Sequence, residues 1–128
     1  MNKEELFVGA KVTAAYKTGE YIGEIVELSG SAKAAVQILA VRKHPTQGDL
    51  HNPMESEVAF FHQRRALAYR EIALMPLHTV QLFQGAVPDY TESLRLALAE
   101  QIRELTGLEQ WAKRSLQELE QLNREYRL

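Results

Sequence analysis

The sequence predicts an α+β fold: a small SH3-like antiparallel β-barrel followed by a C-terminal two-helix hairpin packed on it. Three observations predict it. Apolar side chains recur with period two from Leu6 to Val41, as half-buried strands require. The stretch His44 to Pro53 sustains no period at all. From Asp89 onward the apolar spacing changes to three and four, the interval of an amphipathic helix.

The strands follow in order. Val12, Ala14 and Tyr16 alternate, then Ile22, Glu24, Val26 and Leu28, then Ala34, Val36, Ile38 and Ala40. Lys17-Thr18-Gly19-Glu20 separates the first two runs, with Gly19 free to take positive φ, and Ser29-Gly30-Ser31 separates the next two. Both joins are short enough for hairpins, so a three-stranded meander is predicted. Residues 44–57 form an ordered loop. The segment Glu57 to Tyr69 fits both periods, and a short helical turn is expected there. Arg70 to Met75 reads as a strand, Pro76 to Thr79 as a tight turn, and Val80 to Phe83 as a last short strand, because proline is disfavoured inside a central ladder. Closing five short strands into a barrel removes exposed sheet edges.

A boundary is expected at Gly85-Ala86-Val87-Pro88, giving a barrel over 1–87 and a helical hairpin over 88–128 that behave as one body. Asp89 with Glu92 three residues later resembles a capping box. Leu94, Ala97, Leu98, Ile102 and Leu105 form one stripe, Gly107 is positioned to stop the helix, and Leu108 to Tyr126 form a second stripe. Glu109 with Lys113 and Glu120 with Arg124 have the spacing of helical ion pairs. Trp111 is assigned to the core beside Ala112.

Composition narrows function. The chain has 15 Lys and Arg against 17 Asp and Glu, and its halves are balanced, 7 against 8 over residues 1–64 and 8 against 9 over 65–128. No global field draws nucleic acid or an anionic bilayer. Cysteine is absent, which removes disulfides, thiol nucleophiles and S-acylation. Met1-Asn2-Lys3-Glu4-Glu5 lacks the charged-then-apolar layout expected of a signal peptide, and no apolar run approaches the roughly 20 residues of a membrane span. A cytoplasmic protein without direct membrane insertion is expected.

Few residues carry chemistry. His44, His51 and His62 with Asp49 are the one set that could bind a metal or exchange protons, yet their spacing matches no standard site. Asp49 after Gly48 and His44 before Pro45 are residues that commonly anchor a loop to its own backbone. No Gly-x-Ser-x-Gly and no phosphate-binding glycine pattern occurs, so neither a catalytic site nor a cofactor is assigned. Arg42, Lys43, Arg64, Arg65 and Arg70 mix with Phe60, Phe61 and Tyr69, which suits a single-strand binding surface or a protein interface. Asp49, Glu55 and Glu57 reduce the local charge from +5 to +2. The aromatics could also close the barrel core.

The runs His44-Pro45-Thr46-Gln47-Gly48-Asp49-Leu50-His51-Asn52-Pro53 and Phe60-Phe61-His62-Gln63-Arg64-Arg65-Ala66-Leu67-Ala68-Tyr69-Arg70-Glu71 resemble the kinase-associated protein B family of the spore-forming bacilli. Tyr16 to Glu24, Pro88-Asp89-Tyr90 and Ala112 to Leu116 extend the resemblance over nearly the whole chain. It implies a non-enzymatic accessory protein that binds a sensor histidine kinase, kinase B, and supports its activity in the phosphorelay that starts sporulation. Nucleic-acid binding by a small barrel, and a His/Asp metal-dependent hydrolase, are the alternatives. The family's label of lipoprotein is not matched by a cysteine here, so membrane proximity is expected through the kinase. The resemblance transfers no site. It marks His44, Gln47, Asp49, His51, Phe61, His62, Arg64, Arg65, Tyr69 and Arg70 as the signature and candidate partner surface, and leaves self-association open.

Overall fold

The computed structural model describes residues 6–28, 30 and 32–127. The chain divides into two compact units, Met1–Leu98 and Ala99–Leu128. The first holds five strands: β1 (Lys11–Tyr16), β2 (Gly19–Leu28), β3 (Lys33–Lys43), β4 (Ile72–Pro76) and β5 (Gln81–Leu82). They form one antiparallel sheet in the order β4-β3-β2-β1-β5. The α+β class and the meander β1-β2-β3 are as the periodicity indicates. Ser29 and Ser31, expected in the second join, and the amino-terminal Met1 to Glu5 lie outside the described residues.

The barrel is a correction. The sheet keeps two edges, β4 and β5, and is not closed. The route between them explains why. Pro76 ends β4, and a 3-10 turn over Leu77–Thr79 follows. Leu77 N–H leaves its neighbours to donate to Ala32 O at 2.7 Å, and Thr79 Oγ1 donates to Pro76 O at 2.8 Å while accepting Ala15 N–H at 3.1 Å. The chain is thus carried to the opposite edge, where β5 makes only two residue pairs with β1.

Burial follows the alternation of β3 but not of β2. Val12, Val36, Ile38 and Met75 are 0% exposed and centre the core. On β2 the residues that join them are Tyr21 and Ile25, the opposite phase from Ile22, Glu24 and Val26, and beyond the slip at Val26 the expected Leu28 packs against the cluster. The ladder between β2 and β3 slips three times: Val26, Leu39 and Arg42 each stand unpaired between consecutive partners. Each such bulge shifts which face a side chain enters, so Val41 rather than Ala40 completes the core cluster. Gly23 sits where a Cβ would collide with Gln37 O and Val36 Cγ1 across the ladder. Backbone approach there tolerates no side chain.

The β1-β2 turn differs in detail. Tyr16 pairs with Gly19, and the positive φ of 56° belongs to Lys17. Gly19 is buried beneath Tyr21, whose hydroxyl would lie 2.5 Å from an added Cβ.

The second correction concerns the C-terminal hairpin. A single helix, α1, runs over the 37 residues Tyr90–Tyr126. Asp89 caps it, its Oδ2 accepting Glu92 N–H at 3.0 Å. Gly107 lies inside the helix without positive φ and with open space around it. An interior glycine costs about 1 kcal/mol relative to alanine, which neighbouring leucines and glutamates tolerate, so it does not end the helix. In the first unit α1 contributes Ser93 and Ala97 to the buried set, with Tyr90 and Leu94 partly buried against the core. Trp111 is not a core residue: it is 68% exposed. The outer ion pairs are Glu92 with Arg95, Glu100 with Arg103, and Arg114 with Glu118, rather than the two that spacing proposed.

Candidate functional site

The signature residues fall on the connection between β3 and β4, residues 44–71, which contains no helix. The helical turn expected after Glu57 does not form: backbone groups of Arg64 and Leu67 that a helix would pair are taken by the side chains of Gln47, Tyr21 and Tyr90. Gln47 is the clasp. Its Nε2 donates to Arg64 O at 2.9 Å and Pro45 O at 3.1 Å, and its Oε1 accepts Arg64 N–H at 2.8 Å. Arg64 closes the other side, its guanidinium donating to the carbonyls of Thr46 and Gly48. Gly48 N–H donates to His62 O at 2.9 Å. Two strands of loop are thereby tied without a ladder.

Gly48 is required on two counts. Its φ is +98°, where side chains other than glycine are strained, and a Cβ there would sit 3.0 Å from the Phe61 ring. Asp49 then caps the next turn. Its Oδ1 accepts His51 N–H and its Oδ2 accepts Asn52 Nδ2–H, both at 2.9 Å. The hydrogen bond from Asn52, followed by that from His51, holds the Asp49 carboxyl below the usual carboxylate range.

Two tyrosines outside the signature fasten the end of the loop. Leu67 N–H donates to the Tyr21 hydroxyl at 3.2 Å, and the Tyr90 hydroxyl donates to Leu67 O at 2.5 Å. Burial pushes the phenols of both upward. A third device lies under β3. The bulge beside Arg42 leaves Val41 N–H to Ser93 Oγ at 2.9 Å, and Ser93 Oγ donates to Tyr90 O at 2.7 Å. Tyr21, Tyr90 and Ser93 were invisible to sequence reasoning as loop anchors, because nothing local marks a side chain whose partner lies 23 to 52 residues away.

The signature therefore splits. Gln47, Asp49 and Arg64 serve the loop's own backbone, and His44 Nδ1 lies 3.1 Å from Pro45 O. The imidazoles are not brought together: among the described residues no three His, Asp or Glu side chains form a group that could hold a metal ion. His62 stacks on Phe60 at 6.1 Å, while His51 is exposed. Phe60, Phe61 and Tyr69, which could have closed a core, are 72%, 58% and 53% exposed. Arg65 and Arg70 are exposed too, and Arg70 lies over the Tyr69 ring at 5.8 Å. Where the β1-β2 turn meets the loop there is an open cleft of about 170 Å³, floored by Tyr16, Tyr21, Pro45 and Leu67 and rimmed by Lys17, Arg64 and Arg65. No carboxylate lines it. Such a surface can grip an apolar or anionic group of a partner.

A family model described as kinase-associated protein B matches residues 16–127. The chain belongs to the kinase-associated protein B family. It is 50% identical over 120 residues, 92% of each chain, to Kinase-associated lipoprotein B of Bacillus subtilis strain 168. The X-ray crystal structure of kinase-associated protein B from Bacillus cereus, 42% identical, matches with a TM-score of 0.70 over 96% of this chain and 99% of that one. The family match takes in the whole of the clasped loop and both anchoring tyrosines. Unlike the name carried by the Bacillus subtilis relative, the 128 residues here contain no cysteine. Among the described residues no helix is long and apolar enough to cross a membrane.

Proposed function

We propose that the protein is a non-enzymatic accessory factor that binds a sensor histidine kinase, kinase B or its counterpart, and supports its activity in the phosphorelay initiating sporulation. The observation that carries this reading is 50% identity, over nearly the full chain, to a protein named for kinase association. The loop supplies a physical reason. Gln47, Asp49 and Arg64 are engaged in holding it in one shape, while Phe60, Phe61, Tyr69, Arg65 and Arg70 are exposed. Aromatic and arginine side chains on a rigid support are what protein interfaces use as anchors, since little side-chain entropy is lost on docking.

Support of a kinase then means population shift. A module with no chemistry of its own raises activity only by binding the active conformation more tightly than the inactive one. Moving a kinase from one part active in ten to nine in ten requires roughly 80-fold differential affinity. Membrane proximity comes through the kinase. The nucleic-acid alternative is weakened because Arg64 is occupied by loop carbonyls. The hydrolase alternative lacks a convergent ligand set among the described residues.

Arg64 is a poor probe of binding, because its loss opens the loop. The test is the pair Phe61→Ala and Arg65→Ala against purified kinase. Each single change weakens association about tenfold, as truncating an interface anchor does, with thermal stability unchanged for Arg65→Ala and only slightly lowered for Phe61→Ala, whose ring lies against Gly48. Undiminished binding by the double variant would place the contact elsewhere.

A further inference from the structure

The second unit carries a feature that the kinase reading does not use and that stands independently of it. From residue 99 onward α1 follows a heptad: Leu105, Leu108, Leu119 and Leu122 fall on the two inner positions, with the small residues Ala112 and Ser115 between them. Ile102, Leu116 and Trp111 widen this seam on either side. Every large apolar member is exposed, more than a monomer ordinarily leaves in water. Such a stripe is built to be covered by another helix.

The charges beside it state what kind. The positions flanking a heptad seam decide which helix can lie against it. Here they hold Glu104, Glu109, Glu118 and Glu125 and no cation, while Arg103, Lys113, Arg114 and Arg124 occupy the outer positions. Glu118 is reached by Arg114 from that outer side, and Glu125 Oε2 accepts Gln121 Nε2–H. Among the described residues Glu104 and Glu109 have no such partner. Laid parallel on itself, the helix sets Glu104 against Glu109 of the second copy. Laid antiparallel, the flanks holding Glu104, Glu118 and Glu125 face each other. A second copy is disfavoured in both directions, and a helix flanked by lysine or arginine is favoured.

We propose that the stripe from Ile102 to Leu122 is a docking surface for an amphipathic helix whose leucine seam is bordered by basic side chains. The step at Ala112 and Ser115 leaves room for one bulky side chain of that partner beside Trp111. Long flanking carboxylates meet the basic border and set the orientation.

Trp111 is the chain's one tryptophan and so reports on the stripe directly. In the full-length protein its emission is that of a water-exposed indole and does not change with protein concentration. A synthetic helix of about three heptads with leucine at the inner positions and lysine at the flanks shifts it to the blue. It binds at least tenfold more tightly than the same peptide with glutamate flanks, and the preference shrinks as salt rises. Glu104→Lys with Glu109→Lys, which leaves the seam intact and balances the remaining Glu118 and Glu125, abolishes the preference. Four outcomes overturn the proposal: no shift with either peptide, equal affinity for both, a blue shift that grows with protein concentration and reveals a second copy, or a blue emission already present in dilute protein, which means that the chain covers its own stripe.

Discussion

The sheet and the loop that leaves its third strand are held by different forces. At the centre of the sheet Val12, Val36, Ile38 and Met75 exclude water completely, and their stability scales with buried apolar area. In the loop Phe60, Phe61 and Tyr69 are exposed while Ala66 and Leu67 pack against the core, and most of the order comes from polar side chains that satisfy backbone groups: Gln47 on Arg64, Asp49 on His51, Tyr21 and Tyr90 on Leu67. Each such bond contributes only about 1 kcal/mol net. A loop built this way keeps one shape while releasing its aromatics for a partner. A sheet cannot do so without losing its core.

Substitutions separate the two regimes. The largest effect belongs to the sheet. Ile38→Ala removes a fully buried side chain from the middle of β3 and lowers global stability by about 3 kcal/mol, read as a shift of the urea midpoint with an unchanged slope. Gln47→Ala acts locally instead. It strands Arg64 N–H and the Arg64 carbonyl, so amide exchange through residues 45–65 accelerates by about tenfold or more, with the unfolding midpoint moved much less than by Ile38→Ala. Equal loss of midpoint in the two variants would show that loop and sheet open together.

The smallest effect lies on the seam between the regimes. Tyr21→Phe keeps the ring in the core and deletes only the acceptor of Leu67 N–H, a loss of about 1 kcal/mol at neutral pH. Because burial raises the Tyr21 pKa, the unfolded chain releases the phenolic proton first. Its contribution is therefore complete below about pH 10 and is lost as pH rises through the folded value. The phenylalanine variant loses less stability than the parent above that pH, and the fall it retains comes from Tyr90, which is shifted the same way. Parallel alkaline unfolding curves for the two proteins would contradict this.

Much of this molecule was legible in its residues, and the errors have common causes. Alternation located β1, β2 and β3 because half-buried strands must alternate. The phase of β2 was not legible, since the slips at Val26, Leu39 and Arg42 depend on pairing between strands. Amphipathic spacing located the helix, while Gly107 looked like a stop. A single glycine ends a helix only when it takes a left-handed conformation, and Gly107 does not. At the candidate site, the run from His44 to Glu71 stood out as a whole. Which members build and which face outward was not legible, because Gln47 and Arg64 act through partners 16 to 18 residues away. The histidines, the most conspicuous residues of the run, turned out to stand apart.

The most direct test of the central claim is the autophosphorylation rate of the purified kinase titrated with this protein and with the Phe61→Ala, Arg65→Ala variant. The account predicts a saturable rise with the parent, no activity of the protein alone, and a titration shifted to much higher concentration by the double variant, on the order of 100-fold if the two anchors act independently. A kinase rate that stays flat at saturating protein, or one raised equally by both, would contradict it.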